Sequence, residues 1–120
     1  MSNLALAVLA EIRDNASKAI EYSERGGETW QEDGLTADAV ANRVRQVTEL
    51  AKYVFPEDEK KDYPQIPWDE LARARDFYTH HYRDLDVERL RTTLDGALRE
   101  LLEILADLDL PQFDDASASE

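Results

Sequence analysis

The sequence predicts an all-α protein that folds as an antiparallel bundle of four helices. Apolar residues recur three and four positions apart in four separate segments, which is the period of an amphipathic helix. No segment alternates between apolar and polar residues as a strand would, and the length of 120 residues fits one domain. We therefore expect a single helical domain over residues 1–110, followed by a disordered acidic tail over residues 111–120.

The first helix is predicted to run from about Leu4 to Ser23. Its apolar and small residues form one stripe along the helix, and this stripe would face the core. Gly26 and Gly27 follow at the place where glycine commonly ends a helix. The stripe consists of Leu9, Ile12, Ala16, Ala19 and Ser23.

The second helix is predicted to begin at Thr36, a residue type that caps helix N-termini, with Leu35 packing on Val40 as a hydrophobic staple. The segment FPEDEKKDYPQIP, residues 55–67, contains three prolines and a run of charges, so we expect it to be a loop. The predicted core stripe of this helix consists of Val40, Val44, Val47, Ala51 and Val54.

The third helix is predicted to start near Pro67 and to end within residues 82–85. Asp86 is a suitable N-cap for the fourth helix, which Pro111 would stop. The apolar stripe of the fourth helix consists of Val87, Leu90, Leu94, Ala97, Leu101, Ile104 and Leu108. The aromatic residues expected to pack in the core or at an interface are Trp30, Tyr53, Phe55 and Trp68.

The composition excludes several classes of site and partner. The chain has no cysteine and its two histidines are adjacent, so we expect no disulfide, no metal site and no cofactor. The formal net charge of −13 argues against broad, non-specific nucleic-acid binding, which normally uses a basic surface. The N-terminal segment lacks the basic start of a secretory signal, and no apolar run approaches a membrane span. We expect a soluble, cytoplasmic protein.

Both histidines and three of the ten arginines fall within ARARDFYTHHYRD, residues 72–84. From residue 71 to residue 83 the charges are Arg73, Arg75 and Arg83 against Asp76, a local +2, which leaves −15 on the rest of the chain. Arginine binds phosphate oxygens with a planar, charged fork, and histidine exchanges protons near neutral pH. Together, such side chains can cleave a phosphodiester without a metal ion.

The spacing of these residues leaves two interpretations open. Arg75 and His80 are five positions apart, about 140° around a regular helix, so they do not share a stripe. A joint site would need a local irregularity, a long reach by one side chain, or a residue from a second subunit. Asp76 lies four positions before His80 and could orient its imidazole. On spacing alone, surface pairing of arginine with aspartate beside a half-buried histidine is the simpler interpretation.

The segment IPWDELARARDFYTHHY, residues 66–82, resembles the HepT-like toxins of the HEPN superfamily. Those proteins share an arginine, a polar residue, three further residues, a histidine, one residue and a tyrosine. These positions are occupied here by Arg75, Asp76, His80, His81 and Tyr82. The PQIPW that leads into the motif and the DGLTADAV of residues 33–40 are also typical, and the similarity spans roughly residues 5–110. Asp76 is a departure, because the family more often has asparagine there.

The resemblance implies a HEPN-like bundle that forms a homodimer, with the motifs of two chains facing one cleft. Such a cleft would reconcile the spacing of Arg75 and His80. It also implies a metal-independent endoribonuclease that acts on RNA as the toxin of a toxin–antitoxin system. Arg75 and His80 would be catalytic, and Asp76 and His81 would support them.

The resemblance implies a protein partner as well, a minimal nucleotidyltransferase antitoxin. This partner would transfer AMP from ATP to Tyr82 and so place a phosphate where the RNA phosphate would bind. The homodimer would then belong to a larger hetero-oligomer. The alternative is a non-catalytic helical adaptor that only binds the nucleotidyltransferase or its nucleotide, and Asp76 and the overall acidity favour this alternative.

Overall fold

The computed structural model describes residues 2–80 and 87–113, and only the backbone for residues 75–80. These ranges are mainly helical and contain no strand, which confirms the predicted all-α class. None of their helices is long and apolar enough to cross a membrane. The α-helices are α1 (Asn3–Gly26), α2 (Gly34–Glu49), α3 (Trp68–His80), α4 (Val87–Thr93) and α5 (Arg99–Ala106). Two π-helical turns, Leu50–Val54 and Leu94–Leu98, extend α2 and join α4 to α5.

Contacts between residues distant in sequence show that α1 and α2 run in opposite directions. Ser2, which caps the start of α1, donates two hydrogen bonds to Glu59, beyond the end of α2. At mid-length, Arg43 of α2 donates a hydrogen bond of 2.9 Å to Asn15 of α1. The two helices are therefore paired along their whole length.

The last part of the chain returns antiparallel to α1. Arg13 donates a hydrogen bond of 3.0 Å to the carbonyl of Pro111, just beyond α5, whereas Ile20 lies in one groove with Leu102 inside α5. The helix α3 in turn packs on α2. The four helical rods, with α4 and α5 as one rod joined by the π turn, thus form a bundle.

The helix α1 agrees with its predicted stripe and extends a few residues further. All five members of the stripe are buried, and the helix continues to Gly26. Gly27 ends it with a positive φ of 76°, a conformation that favours glycine, and donates its N–H to the Glu24 carbonyl at 3.1 Å. The predicted glycine stop is confirmed.

The start of α2 differs from the prediction. Asp33, not Thr36, is the N-cap, because its carboxylate accepts hydrogen bonds from the Leu35 N–H at 3.2 Å and from the Thr36 hydroxyl at 3.0 Å. Helix α2 consequently begins at Gly34, three residues earlier than a cap at Thr36 would place it. Leu35 is 84% exposed, so the predicted staple on Val40 is wrong.

The end of α2 also changes the predicted stripe. Val40, Val44, Val47 and Ala51 are buried, but Val54 is 44% exposed. A π turn holds more residues per turn than an α-helix, so the stripe falls out of phase after residue 50. Phe55, at the end of this turn, takes the buried position instead.

The same effect appears in the last rod. Leu90, Leu94, Ala97 and Leu101 are buried as predicted, but Ile104 and Leu108 are only partly buried. From the last residue of the π turn at Leu94–Leu98 onward, the fully buried positions are Leu98, Leu101 and Leu105. The helix ends at Ala106, five residues before Pro111, so the predicted length is slightly too great.

The two long connections contain short helices. Trp30–Glu32 forms a 3₁₀ helix with Trp30 buried, and Glu57–Asp62 forms another where a loop was predicted. Phe55 is also buried, and Trp68 is partly buried against the core. Tyr53 is 59% exposed, so it does not pack in the core, and its expected role at an interface stays a prediction.

Candidate functional site

The motif lies at the C-terminal end of α3. The backbone is α-helical through Arg75, Asp76 and His80, while their side chains, and His81 and Tyr82 entirely, lie outside the described residues. Because the helix is regular from residue 75 to residue 80, no irregularity brings Arg75 and His80 onto one stripe. A joint site would therefore need either a long reach by one side chain or a residue from a second subunit. The contacts of these residues stay predictions.

The first half of α3 is fixed by burial and by an aromatic cluster. Leu71 is fully buried and Ala74 is 6% exposed. The Trp68 ring lies 4.7 Å from the Phe55 ring, and its indole N–H donates a 3.0 Å hydrogen bond to the Tyr63 carbonyl. Aromatic packing of this kind holds a helix end in one orientation. It therefore fixes the direction in which α3 presents the motif.

The position of the motif follows from the direction of α3. This helix starts beside Phe55, at the end of α2, and packs along α2, so residues 75–80 lie towards the opposite end of the bundle. That end also holds the turn between α1 and α2 and the start of α4. Gln31 in the turn donates a hydrogen bond of 3.4 Å to Glu88 of α4, so these two elements are connected directly. We call this the motif end of the bundle.

A close packing contact keeps the turn at the motif end tight. A Cβ atom added to Gly26 would lie 2.6 Å from Trp30 Cβ, which is too close for real atoms, and 3.0 Å from Thr36 Cγ2, which is a tight contact. Glycine at this position therefore lets the buried Trp30 sit between α1 and α2. Position 26 requires glycine because of this close approach, and not because of its backbone conformation. Among the described residues, only Gly27 has a positive φ.

The described surface of the motif end is acidic. Exposed carboxylates outnumber cations at this end, and the cation beside the turn is Arg25. Arg25 is itself paired with Glu21 at 3.1 Å. Phosphate binding at this end would consequently depend on the arginines of the motif and of α4. The exposed carboxylates are Glu28, Glu32, Asp33, Asp38 and Glu88.

Two shifted acid–base groups lie at the other end, near the start of α3. The side chain and backbone N–H of Ser2 both donate hydrogen bonds to Glu59, which lowers the pKa of this carboxyl. Burial raises the pKa of the Tyr63 hydroxyl, with a smaller effect from the nearby Asp62 and Glu59. Both shifts follow from structural contacts far from the motif, so neither indicates catalysis.

Two shallow grooves border Arg25. One lies between α1 and α5, and the other lies where α1 ends and α2 begins, next to the exposed Leu35. Neither carries a recognisable catalytic group. Among the residues whose side chains are described, no three histidine, cysteine, aspartate or glutamate side chains converge as metal ligands. The lining residues are Ser17, Ile20, Glu21, Glu24, Arg25 and Leu102 in the first groove and Tyr22, Arg25, Gly26, Asp33, Leu35, Thr36 and Ala39 in the second.

Sequence reasoning missed two polar clusters. Buried Asn15 accepts a hydrogen bond from Arg43, whose guanidinium also lies 5.9 Å from the centre of the Tyr22 ring. On the last rod, Asp95 lies between Arg91 and Arg99. Only the second cluster has a local signal, because its members are four residues apart. The first joins two helices, and spacing cannot reveal it.

A family model described as ribonuclease HepT-like matches residues 12–108, which include the whole motif. A protein of Methanocaldococcus jannaschii is 29% identical over 108 residues, which cover 86% of this chain and 88% of that protein. A protein of Thermococcus cleftensis is 39% identical over 62 residues, or 52% of this chain and 56% of that protein. Their names, assigned by inference, are RNase and ribonuclease HepT. No solved structure matches the chain at comparable significance.

Proposed function

Because this chain belongs to the family of HepT-like ribonucleases, we propose that it is a metal-independent endoribonuclease whose chemistry lies at the C-terminal end of α3. The observation that carries the proposal is the family match over residues 12–108, which spans the sequence from Arg75 to Tyr82. The anchored first half of α3 supports it, since a fixed helix can hold catalytic groups in a constant position.

The proposed reaction is an internal transfer at phosphorus. The imidazole of His80 would accept the proton of a ribose 2′-hydroxyl while the 2′-oxygen bonds to phosphorus. The bond from phosphorus to the 5′-oxygen then breaks, and an imidazolium of the same or the facing chain donates a proton to the leaving oxygen. Arg75 would stabilise the charge on the phosphoryl oxygens, and Asp76 would orient the imidazole, with His81 beside it.

A homodimer is part of this proposal. Arg75 and His80 are about 140° apart on a regular helix, so residues of two chains that meet in one cleft would complete a site without a long reach by either side chain. The motif end, where α3 finishes and α4 begins, is the part of the bundle that would face the partner. Two-fold symmetry would supply two equivalent sets of these residues.

The proposal includes regulation by a partner in the cytoplasm. The protein would act as the toxin of a toxin–antitoxin system, within a hetero-oligomer that contains a minimal nucleotidyltransferase. In that complex the phenolic oxygen of Tyr82 would attack the α-phosphorus of ATP, pyrophosphate would leave, and the phenolic proton would be released. The attached AMP would block the cleft by its bulk and by repelling RNA phosphate.

The experiment that tests this function is cleavage of a mixed tRNA and mRNA substrate in excess EDTA. Wild type, His80→Ala and Tyr82→Phe are compared, with the dimer checked by light scattering. We expect wild type to cleave, His80→Ala to lose about 10²–10⁴-fold in rate as a lost acid–base group does, and Tyr82→Phe to cleave but resist AMP transfer. Undiminished cleavage by folded His80→Ala would refute the role of His80.

The net charge of −13 favours a second candidate, the non-catalytic adaptor. An acidic body repels RNA at long range and suits a protein partner with a basic surface. If an unmodified wild-type dimer does not cleave in EDTA or with Mg²⁺ but binds a nucleotidyltransferase, the adaptor is correct. Toxicity of the chain alone in a heterologous host would decide for the nuclease.

A further inference from the structure

The outer face of α4 and of the π turn after it differs in charge from the other described parts of the chain. Residues 87–99 contain three arginines against two carboxylates, a net +1. Residues 2–74 contain nine basic and fifteen acidic residues, a net −6, and residues 100–113 contain four acidic and no basic residues. Outside the motif, phosphate would meet the least repulsion on the face of residues 87–99.

Two arginines on this face are held by one carboxylate. Arg91 Nε lies 3.6 Å from one Asp95 oxygen, and Arg99 Nε lies 3.8 Å from the other. Both arginine side chains are 47% exposed. These distances are longer than good hydrogen bonds, so Asp95 aligns the two side chains without saturating their five donors each. Two guanidinium groups therefore stand side by side along the rod.

Gly96 lies on the same rod, next to Asp95, and the fold gives no reason for a glycine there. It is exposed, its φ is not positive, and a Cβ atom added to it would meet nothing within 4 Å. Glycine destabilises a helix relative to alanine. An exposed glycine without an internal role is consistent with close approach of another molecule to the backbone.

This face lacks the apolar centre that a large protein interface has. The exposed large hydrophobic side chains, among those described, are Leu4, Leu35, Tyr53 and Val54, and none lies on α4 or α5. Thr92 and Thr93 donate their hydroxyls to carbonyls of their own helix, at 2.9 and 3.0 Å. The centre of the face thus offers cations and a bare backbone, which suit a phosphate chain better than an apolar partner.

We propose that Arg91, Gly96 and Arg99 form an arginine track that binds the phosphate backbone of RNA leaving the motif. The proposal rests on the proposed nuclease function and names contacts outside its motif. Helix α4 starts seven residues after His80, at the motif end, so the track begins beside the cleft. The backbones of the two arginines are eight residues apart, about 12 Å on a regular helix, but both Nε atoms lie within 4 Å of Asp95, so the guanidinium groups would contact neighbouring phosphates of one strand.

The test measures RNA affinity in a background that does not cut the probe. Every variant carries His80→Ala, and the probe is a fluorescein-labelled single-stranded RNA of mixed sequence, titrated in EDTA at several salt concentrations. Arg91→Ala and Arg99→Ala are each expected to weaken binding about fivefold and to reduce the salt slope by about 0.7, the value for one lost contact to a single strand. Arg45→Ala is the matched control, since Arg45 is exposed on α2 and bonds Asn42.

Two further variants give results that a purely structural role would not. Asp95→Asn removes the negative charge between the arginines and is expected to tighten RNA binding about threefold. Gly96→Leu is expected to raise the melting temperature, because leucine favours a helix, and yet to weaken RNA binding. Unchanged affinity and salt slope in Arg91→Ala and Arg99→Ala would overturn the track.

The outcomes separate this proposal from the one on which it rests. Wild type that cleaves while the arginine variants bind normally overturns the track and keeps the nuclease. If wild type binds RNA through Arg91 and Arg99 but never cleaves it, the arginine track is supported and the nuclease function is wrong. Weaker binding that light scattering traces to a lost dimer assigns the face to a second copy and overturns the track. A folded dimer with no RNA affinity overturns both.

Discussion

The two ends of α3 differ in what holds them. At its start, Trp68 packs on Phe55 and bonds the Tyr63 carbonyl, and Leu71 is fully buried one turn later. At the motif end, the described neighbours are exposed carboxylates, a tight glycine turn and the hydrogen bond from Gln31 to Glu88. Both ends carry exposed carboxylates, but only the start of α3 has a cluster of packed aromatic rings beneath it.

This difference teaches where stability and chemistry are placed in the molecule. Burial of aromatic and aliphatic side chains supplies most of the free energy of folding, and the described core runs the length of the bundle, with its aromatic cluster at the start of α3. The motif lies outside that cluster. Substitutions at the start of α3 should therefore change stability, and substitutions in the motif should change activity.

The largest expected effect on stability comes from breaking the aromatic cluster. Phe55→Ala removes a ring that is 3% exposed and packs on both Tyr63 and Trp68. We expect the free energy of unfolding to fall by about 3–5 kcal/mol, through lost burial and a cavity. Urea denaturation followed by circular dichroism measures it. Tyr53→Ala, two residues earlier and 59% exposed, is the control and should cost about 1 kcal/mol or less.

A smaller effect is expected in the tight turn at the motif end. Gly26→Ala places a methyl group 2.6 Å from Trp30 Cβ, an atom fixed to the backbone that cannot move aside. Overpacking of this kind costs about 1–3 kcal/mol, to be measured by thermal unfolding. Gly34→Ala is the control, because its Cβ meets nothing within 4 Å, and it should be neutral or slightly stabilising. Equal losses in both would contradict the role of close approach.

The smallest expected effect concerns the polar contact that joins α1 to the loop after α2. The folded pKa of Glu59 is lowered, so its hydrogen bonds from Ser2 contribute stability above its unfolded pKa, and this contribution is lost as pH falls through the folded pKa. Wild type should therefore melt slightly higher than Glu59→Gln at neutral pH, and the difference should vanish in acid. Asp58→Asn, on the same 3₁₀ helix, is the control. A difference that grows in acid would contradict a pKa of Glu59 that is lowered in the folded state.

Much of the fold could be predicted because it depends on local patterns. The stripe of α1 and most of the stripe of α2 follow the helical period, and glycine marks the end of α1. The errors arise where a contact between residues decides the outcome. Asp33, and not the predicted Thr36, is the cap, because its carboxylate accepts hydrogen bonds from both Leu35 and Thr36. The two π turns moved the buried positions to Phe55 and Leu105.

The candidate site is less accessible to prediction than the fold. The residue types of Arg75 and His80 suggest phosphate chemistry, but their spacing argues against a joint site, and their meeting depends on a second chain or on side-chain reach, which periodicity does not encode. The family match assigns the family, and the contacts of Arg75 and His80 stay predictions. Arg91, Asp95 and Arg99 have a visible spacing of four, which indicates ion pairs, but the distances and the exposure of both arginine side chains come only from the structure.

The π turn at Leu50–Val54 has a consequence for comparing related chains. Such a turn holds about one residue more than an α-helical turn of the same rise, so it absorbs a single inserted residue without lengthening the helix. A relative lacking one residue at this point would carry an uninterrupted α-helix and still place its phenylalanine under Trp68. Alignments of this family should therefore show isolated one-residue gaps just before the aromatic cluster, which record a change of helix type and not the loss of a structural element.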